Sequence, residues 1–213
     1  MRISRTLKLL MYLFKNSTLA DFVGTIKSTL FRNDLIYVFA IDTETMSKDV
    51  LKTTTSTGEK DNKVIIKKGE IEELEEFCER TGANAWEFNC HTFDGVKDFF
   101  IAKDADTIQC ITWIYKSRDQ NRFLMLGDQN ALLQYGLTLP EYRGKGLYPS
   151  VQRAAVQYLR EQGYRKVYVL VHSLNAESQS SQTKAGFCKV GEYRFRKIFG
   201  LQVSRKYDAL GMY

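Results

Sequence analysis

The amino-acid sequence predicts an α/β protein, a central mixed and mostly antiparallel sheet flanked by helices and preceded by a basic helical extension. Three observations carry that reading. Short runs rich in aromatic and β-branched residues recur between Asp-, Gly- and Asn-containing turns, as strands do. Two segments, Ile71–Cys78 and Leu147–Leu159, instead place apolar residues at helical spacing. Charge is uneven: residues 1–33 hold Arg2, Arg5, Lys8, Lys15, Lys27 and Arg32 against Asp21 alone, so most of the formal net charge of +6 lies there. The 213 residues, 44% hydrophobic and 26% charged, are enough for one full core. Only 14 Gly and 2 Pro exclude collagen-like and low-complexity chains.

In chain order, residues 1–33 form the extension and 34–213 the body. Asp34–Asp42 is a strand bounded by acids, and residues 43–62, rich in Thr, Ser and Lys, are a loop. Ile71, Leu74, Phe77 and Cys78 share one helix face; Glu72, Glu73, Glu75, Glu76 and Glu79 make the other a solvated acidic surface, and Gly82 ends it. Residues 84–96 fit a helix or an aromatic loop. Strands follow at Asp98–Lys103, Thr107–Tyr115, Arg122–Leu126 and Ala131–Leu139. An amphipathic helix from Leu147 stops at Gly163. The strand Val167–Val171, a polar helix over 175–185 and strands near 187–199 and 201–206 complete the body.

The extension admits two readings besides disorder. Leu7, Leu10, Met11 and Phe14 recur on one helical face, with Arg5, Lys8 and Lys15 on the others. Such a helix packs on the body or a partner subunit, or attaches weakly to an anionic membrane surface. Leu9–Phe14 is too short for a signal-peptide core, and no run reaches the ~18 apolar residues of a membrane span. The near-neutral body argues against a nucleic-acid partner. Cys78, Cys90, Cys110 and Cys188 show no C-x-x-C spacing and only His91 and His172 could join them. We therefore expect no metal and the reduced thiols of a cytoplasmic protein, with peripheral contact at the inner membrane face open through residues 1–33.

The most informative stretch runs Leu137-Thr138-Leu139-Pro140-Glu141-Tyr142-Arg143-Gly144-Lys145-Gly146-Leu147-Tyr148-Pro149. A strand stops at Pro140, a basic Gly-containing loop follows, and a helix starts near Leu147. Gly144 and Gly146 let backbone N–H groups converge, the helix N-terminus adds partial positive charge, and Arg143 and Lys145 add full charges. Pro149 costs nothing in a first helical turn. The stretch reads as a cradle for a pyrophosphate or as a structural turn alone, and it matches neither the P-loop nor the Rossmann fingerprint.

Arg143-Gly144-Lys145-Gly146-Leu147-Tyr148 resembles the acyl-CoA pyrophosphate motif of the GNAT superfamily of N-acetyltransferases, Gln/Arg-x-x-Gly-x-Gly/Ala, with Tyr148 departing at the last position. Asn175 to Phe187 is similar to that family's second motif, N-x-x-A-x-x-x-Y-x-K-x-G-F. Asn175, Lys184, Gly186 and Phe187 match, Ser178 replaces Ala, and Gln182 stands where Tyr is common. The resemblance is specific over about 130–213 and extends to Asp34.

The resemblance implies transfer of an acetyl group from acetyl-CoA, as co-substrate and without metal, to a primary amine of a small molecule. A homodimer is compatible with it. Backbone groups of Leu137, Thr138 and Leu139 would hold the pantetheine arm and Arg143–Tyr148 the diphosphate, with Asn175 and Lys184 from the second motif. The amine needs a base and the thiolate an acid. Gln182 cannot transfer a proton, so Tyr148 and Tyr193 stand as substitutes beside unaided departure, and both also fit packing roles. His172, after the strand Val167–Val171, is the first choice of base or else satisfies a strand end. Trp86, Glu87 and His91 form an acceptor pocket or part of an aromatic core. Similar chains with a basic extension point to an amino-sugar nucleotide as acceptor. A non-catalytic acyl-CoA-binding scaffold and a membrane-peripheral protein are the alternatives.

Overall fold

A computed structural model describes residues 32–45, 64–119, 124–198 and 201–209. The expectations for residues 1–31 and 46–63, the extension's helix and most of the first loop, lie outside the described residues. The elements in order are β1 (Arg32–Asp42), β2 (Ile65–Lys68), α1 (Ile71–Thr81), a 3-10 turn (Trp86–Asn89), α2 (Cys90–Asp94), β3 (Phe99–Lys103), β4 (Ile108–Tyr115) and β5 (Asn130–Thr138). A second 3-10 turn (Pro140–Tyr142) leads to α3 (Leu147–Glu161), β6 (Lys166–His172), α4 (Ala176–Ala185), β7 (Cys188–Ile198) and β8 (Leu201–Ala209).

Eight strands form one sheet in the order β2-β3-β4-β5-β6-β1-β7-β8. Neighbours are antiparallel except β5 and β6, which run parallel. Period-two alternation splits β1 cleanly: Ile36, Val38 and Ala40 enter one core, Phe39 and Ile41 the other. The first core lies under α1, where Leu74 and Phe77 are buried, and includes Phe88, Phe99, Trp113 and Tyr115. The second lies under α3, whose Leu147, Val151, Ala155, Val156 and Leu159 meet Cys110, Ile114, Leu133 and Val169. The strand β4, buried along its whole length, separates the two cores.

Three expectations are corrected. The segment 84–96 is neither a regular helix nor a loop: burial of Phe88, Cys90 and Phe93 drives a 3-10 turn and a short helix, closed by Gly95 at φ 73°. Leu124–Leu126 is not a strand. Leu124 and Leu126 pack on the first core from a loop, so their apolar character reflects burial without ladder partners. The acidic face of α1 is not wholly solvated, because half-buried Glu73 pairs with Lys67 at 2.9 Å and Lys103 at 2.6 Å. Burial alone would raise the Glu73 pKa, but the two lysines outweigh it and hold the carboxyl below its usual range. The strand β2 was not expected from its four residues, two of them lysines. The glycines at the ends of α1 and α3 adopt the left-handed conformation their positions predicted: Gly82 φ 67°, Gly163 φ 82°.

Candidate active site

The parallel pairing of β5 and β6 runs only from Asn130↔Lys166 to Leu133↔Val169. Both strands continue, β5 to Thr138 and β6 to His172, so they part and leave a gap whose closed end is at Gln134. Opposite, the register of β4 on β5 jumps from Ile111↔Leu137 to Trp113↔Gln134. This is a β-bulge, and Tyr135 within it holds φ at 55°, a conformation uncommon for a residue with a side chain. The bulge bends β5 at the end of the gap.

At the gap's mouth β5 becomes the 3-10 turn and then the loop. Gly144 (φ 78°) and Gly146 (φ 72°) both take the left-handed region on either side of Lys145. A Cβ at either would meet nothing within 4 Å, so that side of the loop is open. Gly146 is the N-cap of α3 and no side chain caps the helix, which leaves its first N–H groups without internal partners. Two left-handed glycines, an uncapped helix start and two nearby cations fit a diphosphate. Arg143 donates through Nε to the Thr138 carbonyl at 3.1 Å, and Lys145 Nζ lies 5.0 Å from the Tyr142 ring centroid, so both cations are held at the loop. Of the arm residues, Leu137 and Leu139 pack on the first core, and the Thr138 hydroxyl reaches Cys110 Sγ at 3.2 Å. Leu147 is buried and anchors the helix start.

The second motif resolves largely into local structure. Asn175 caps α4, its Oδ1 accepting from the Ser178 N–H at 2.9 Å. Gly186 (φ 98°) ends α4 and Phe187 is buried. The side chain of Lys184 is exposed, and its carbonyl accepts from Arg153 at 3.1 Å, tying α4 to α3.

The structure separates the proposed proton carriers. Tyr148 lies under β5 beside the gap, its ring against Gly136. Tyr193 is buried on β7, with β1 between β7 and β6, so it stands two strand spacings from the gap, about 10 Å. His172 ends β6 at the gap's mouth. Its Nδ1 accepts the Leu174 N–H at 3.2 Å, which places the neutral ring's proton on Nε2, 3.4 Å from Asp34 Oδ1. Both nitrogens are engaged, so in this arrangement the ring serves the strand end and offers no free acceptor.

The aromatic segment is divided too. Trp86 stands edge-on to the bulge residue Tyr135, centroids 4.5 Å apart. Half-buried Glu87 has its carboxyl pKa raised by burial, and its carbonyl accepts from the Trp113 indole at 2.6 Å. His91 turns away: Nε2 is 3.2 Å from Glu75 on α1, and its ring stacks on Trp113 at 6.0 Å. Sequence reasoning missed Tyr135, Thr112 and Gln152. The Tyr135-Gly136 pair was a readable signal, since a glycine inside a strand pattern marks a bulge or a close approach. Among the described residues, no group of three or more His, Cys, Asp or Glu side chains is placed to hold a metal, and no helix is long and apolar enough to cross a membrane.

A mixed sheet whose two parallel strands part over a glycine-lined helix start defines the class: the fold is that of the GNAT superfamily. Solved structures agree. A GCN5-related N-acetyltransferase from Sphaerobacter thermophilus is 12% identical, with a TM-score of 0.52 over 92% of this chain and 59% of that one. A tandem GNAT protein from the clavulanic acid biosynthesis pathway is 13% identical, with a TM-score of 0.53 over 91% of this chain and 59% of that one. The chain thus spans about three-fifths of the length of these structures. No family model matches it, and no curated protein does.

Proposed function

We propose that the protein transfers an acetyl group from acetyl-CoA to a primary amine of a small molecule. The observation that carries this reading is the Gly144–Gly146 loop, open on its outer side, at the mouth of the gap where β5 and β6 part. The amine nitrogen would attack the thioester carbonyl carbon, the carbon–sulfur bond would break with its electron pair leaving on sulfur, and the amine would lose one proton to solvent or a base. The chain's part is to hold the diphosphate through the loop amides, to line the arm with the unpaired edge of β5, and to bring Trp86 and Glu87 to the acceptor side of the bulge. An amino-sugar nucleotide is the acceptor we favour, because the aromatic segment around Trp86 comes to the bulge at Tyr135, and aromatic rings suit a sugar or base. Calorimetric titration with acetyl-CoA should show micromolar binding. Thiol release across a panel of amines should then be greatest for amino-sugar nucleotides; flat response across all amines would remove the transferase assignment.

One observation favours a second reading, an acyl-CoA-binding scaffold without turnover. Gln182, where the family often carries tyrosine, is fully buried and bonded to Gln152 at 2.7 Å, and it transfers no proton. Binding without thiol release for any acceptor would support it.

A further inference from the structure

We propose that Arg143 selects the acyl donor: its guanidinium closes the strand edge that an extended arm must use, and only a donor carrying a diphosphate draws it away. The inference rests on the acyl-CoA reading above. It follows from where the backbone groups at the end of β5 go. Leu139, just past β5, sends its N–H to the Gln109 carbonyl of β4 at 3.0 Å. Neighbouring residues of a strand turn their backbone groups to opposite edges. Thr138, set against Cys110 of β4, therefore turns its carbonyl to the edge that β6 has left. The next two carbonyls are used within the 3-10 turn: the Tyr142 N–H donates to Leu139 at 2.9 Å and the Arg143 N–H to Pro140 at 3.3 Å. The Thr138 carbonyl is thus the first acceptor met on passing from the loop into the gap. Arg143 Nε already holds it, at 3.1 Å.

That contact lies across the donor's path. The diphosphate loop stands at the mouth, and the gap runs inward from Thr138 to Gln134, so an arm joining the two passes along Thr138. Amide N–H groups of an arm laid on a free strand edge bond to its carbonyls, as an added strand would. Arg143 and the arm compete for one place.

Charge makes the competition conditional. Arg143 is exposed, and among the described residues its guanidinium makes no hydrogen bond through either Nη and pairs with no carboxylate. A planar fork of this kind matches phosphate oxygens two at a time. Gly144, the next residue, has open space around its Cα, which leaves room beside the loop for the side chain to swing. A diphosphate therefore replaces the carbonyl with a stronger, charged partner. A donor with the same arm and no phosphate breaks the contact without replacing it.

The test uses the full chain with two probes, coenzyme A followed by calorimetry and pantetheine followed by ligand-observed NMR titration. Arg143→Ala removes both the contact and the charge. Arg143→Gln keeps a donor, Nε2, as many bonds from Cα as the arginine Nε, and removes only the charge. Coenzyme A affinity should fall about tenfold or more in both variants. Pantetheine affinity should rise about threefold to tenfold in Arg143→Ala, the worth of one hydrogen bond, and stay within about twofold of wild type in Arg143→Gln. Equal pantetheine affinity in wild type and Arg143→Ala, with coenzyme A binding weakened, overturns this inference alone, since Arg143 would then hold the diphosphate without guarding the gap. A pantetheine gain as large in Arg143→Gln as in Arg143→Ala also overturns it, because the carbonyl contact would not be what excludes the arm. No binding of coenzyme A by the wild type overturns the acyl-CoA reading and this inference with it.

Discussion

Placing a glutamate at Gly144 sets two effects against each other that a matched control can separate. Gly144 holds φ at 78°, and the left-handed region costs an L-residue about 1–2 kcal/mol. Nothing lies within 4 Å of the added Cβ, so no steric term adds to it. Gly82, at the C-cap of α1, holds φ at 67° with equally open surroundings. Gly144→Glu and Gly82→Glu should therefore lose similar stability, a melting-temperature drop of about 2–8 °C for a domain of this size. Only at position 144 does the new carboxylate face a diphosphate. A like charge about 4 Å away costs roughly 1 kcal/mol in water and 4 kcal/mol at a surface of lower effective dielectric. Acetyl-CoA affinity should fall about tenfold or more in Gly144→Glu and stay unchanged in Gly82→Glu, with the difference shrinking as salt rises. Calorimetric titration of both variants beside their melting curves decides it. Equal affinity in the two would refute the diphosphate assignment of the loop.

Three further outcomes are expected. Gly69→Ala would set a Cβ 2.0 Å from the fully buried Phe99 ring, so it should lower the urea midpoint by an amount equal to about 1–3 kcal/mol with m unchanged; a midpoint within error of wild type would contradict the packing there. Burial pushes the Asp98 pKa up, but Lys116 and Lys68 outweigh it and leave it below the usual carboxylate value. A depressed carboxylate stabilises the fold above its unfolded pKa and loses that contribution as pH falls through the folded value. Wild-type melting temperature should thus fall more steeply below about pH 4 than that of Asp98→Asn, and parallel curves would exclude the ion pairs as its cause. Deleting residues 1–31, which stops short of β1, should leave acetyl-CoA affinity unchanged, since the loop and the gap lie in the body, and should lower solubility or melting temperature if the segment packs. Unchanged stability with loss of binding to anionic vesicles would favour the membrane role instead.

Much of the fold could be read from local pattern, because most elements carry their own punctuation. Gly82, Gly163 and Gly186 end helices where left-handed backbone is needed, and Asp34–Asp42 reads as a strand from composition alone. The glycine loop was readable for the same reason, since backbone chemistry at 144 and 146 is a local matter. The gap was not, because it arises from where the β5–β6 pairing stops, between residues far apart in the chain. His172 shows the limit most clearly: its position at a strand end is local, while its engagement with Asp34, 138 residues away, is not. Tyr148 appeared as a mismatch to a motif. Only Gly136 beneath it shows why the ring fits.

The seat of β1 between β6 and β7 has a consequence for how the chain comes into being. A ribosome delivers β1 first, yet both edges of this strand wait for segments made much later. At about 5–20 residues per second, the interval between Asp34 and His172 is roughly 7–28 s. Through that time an apolar strand with both hydrogen-bonding edges open is exposed to other nascent chains. The last joint of the sheet also closes only when β1 slots between the two halves. Newly made protein should accordingly lean on chaperones that shield extended apolar segments, and its assembly during synthesis should be completed from the carboxyl end.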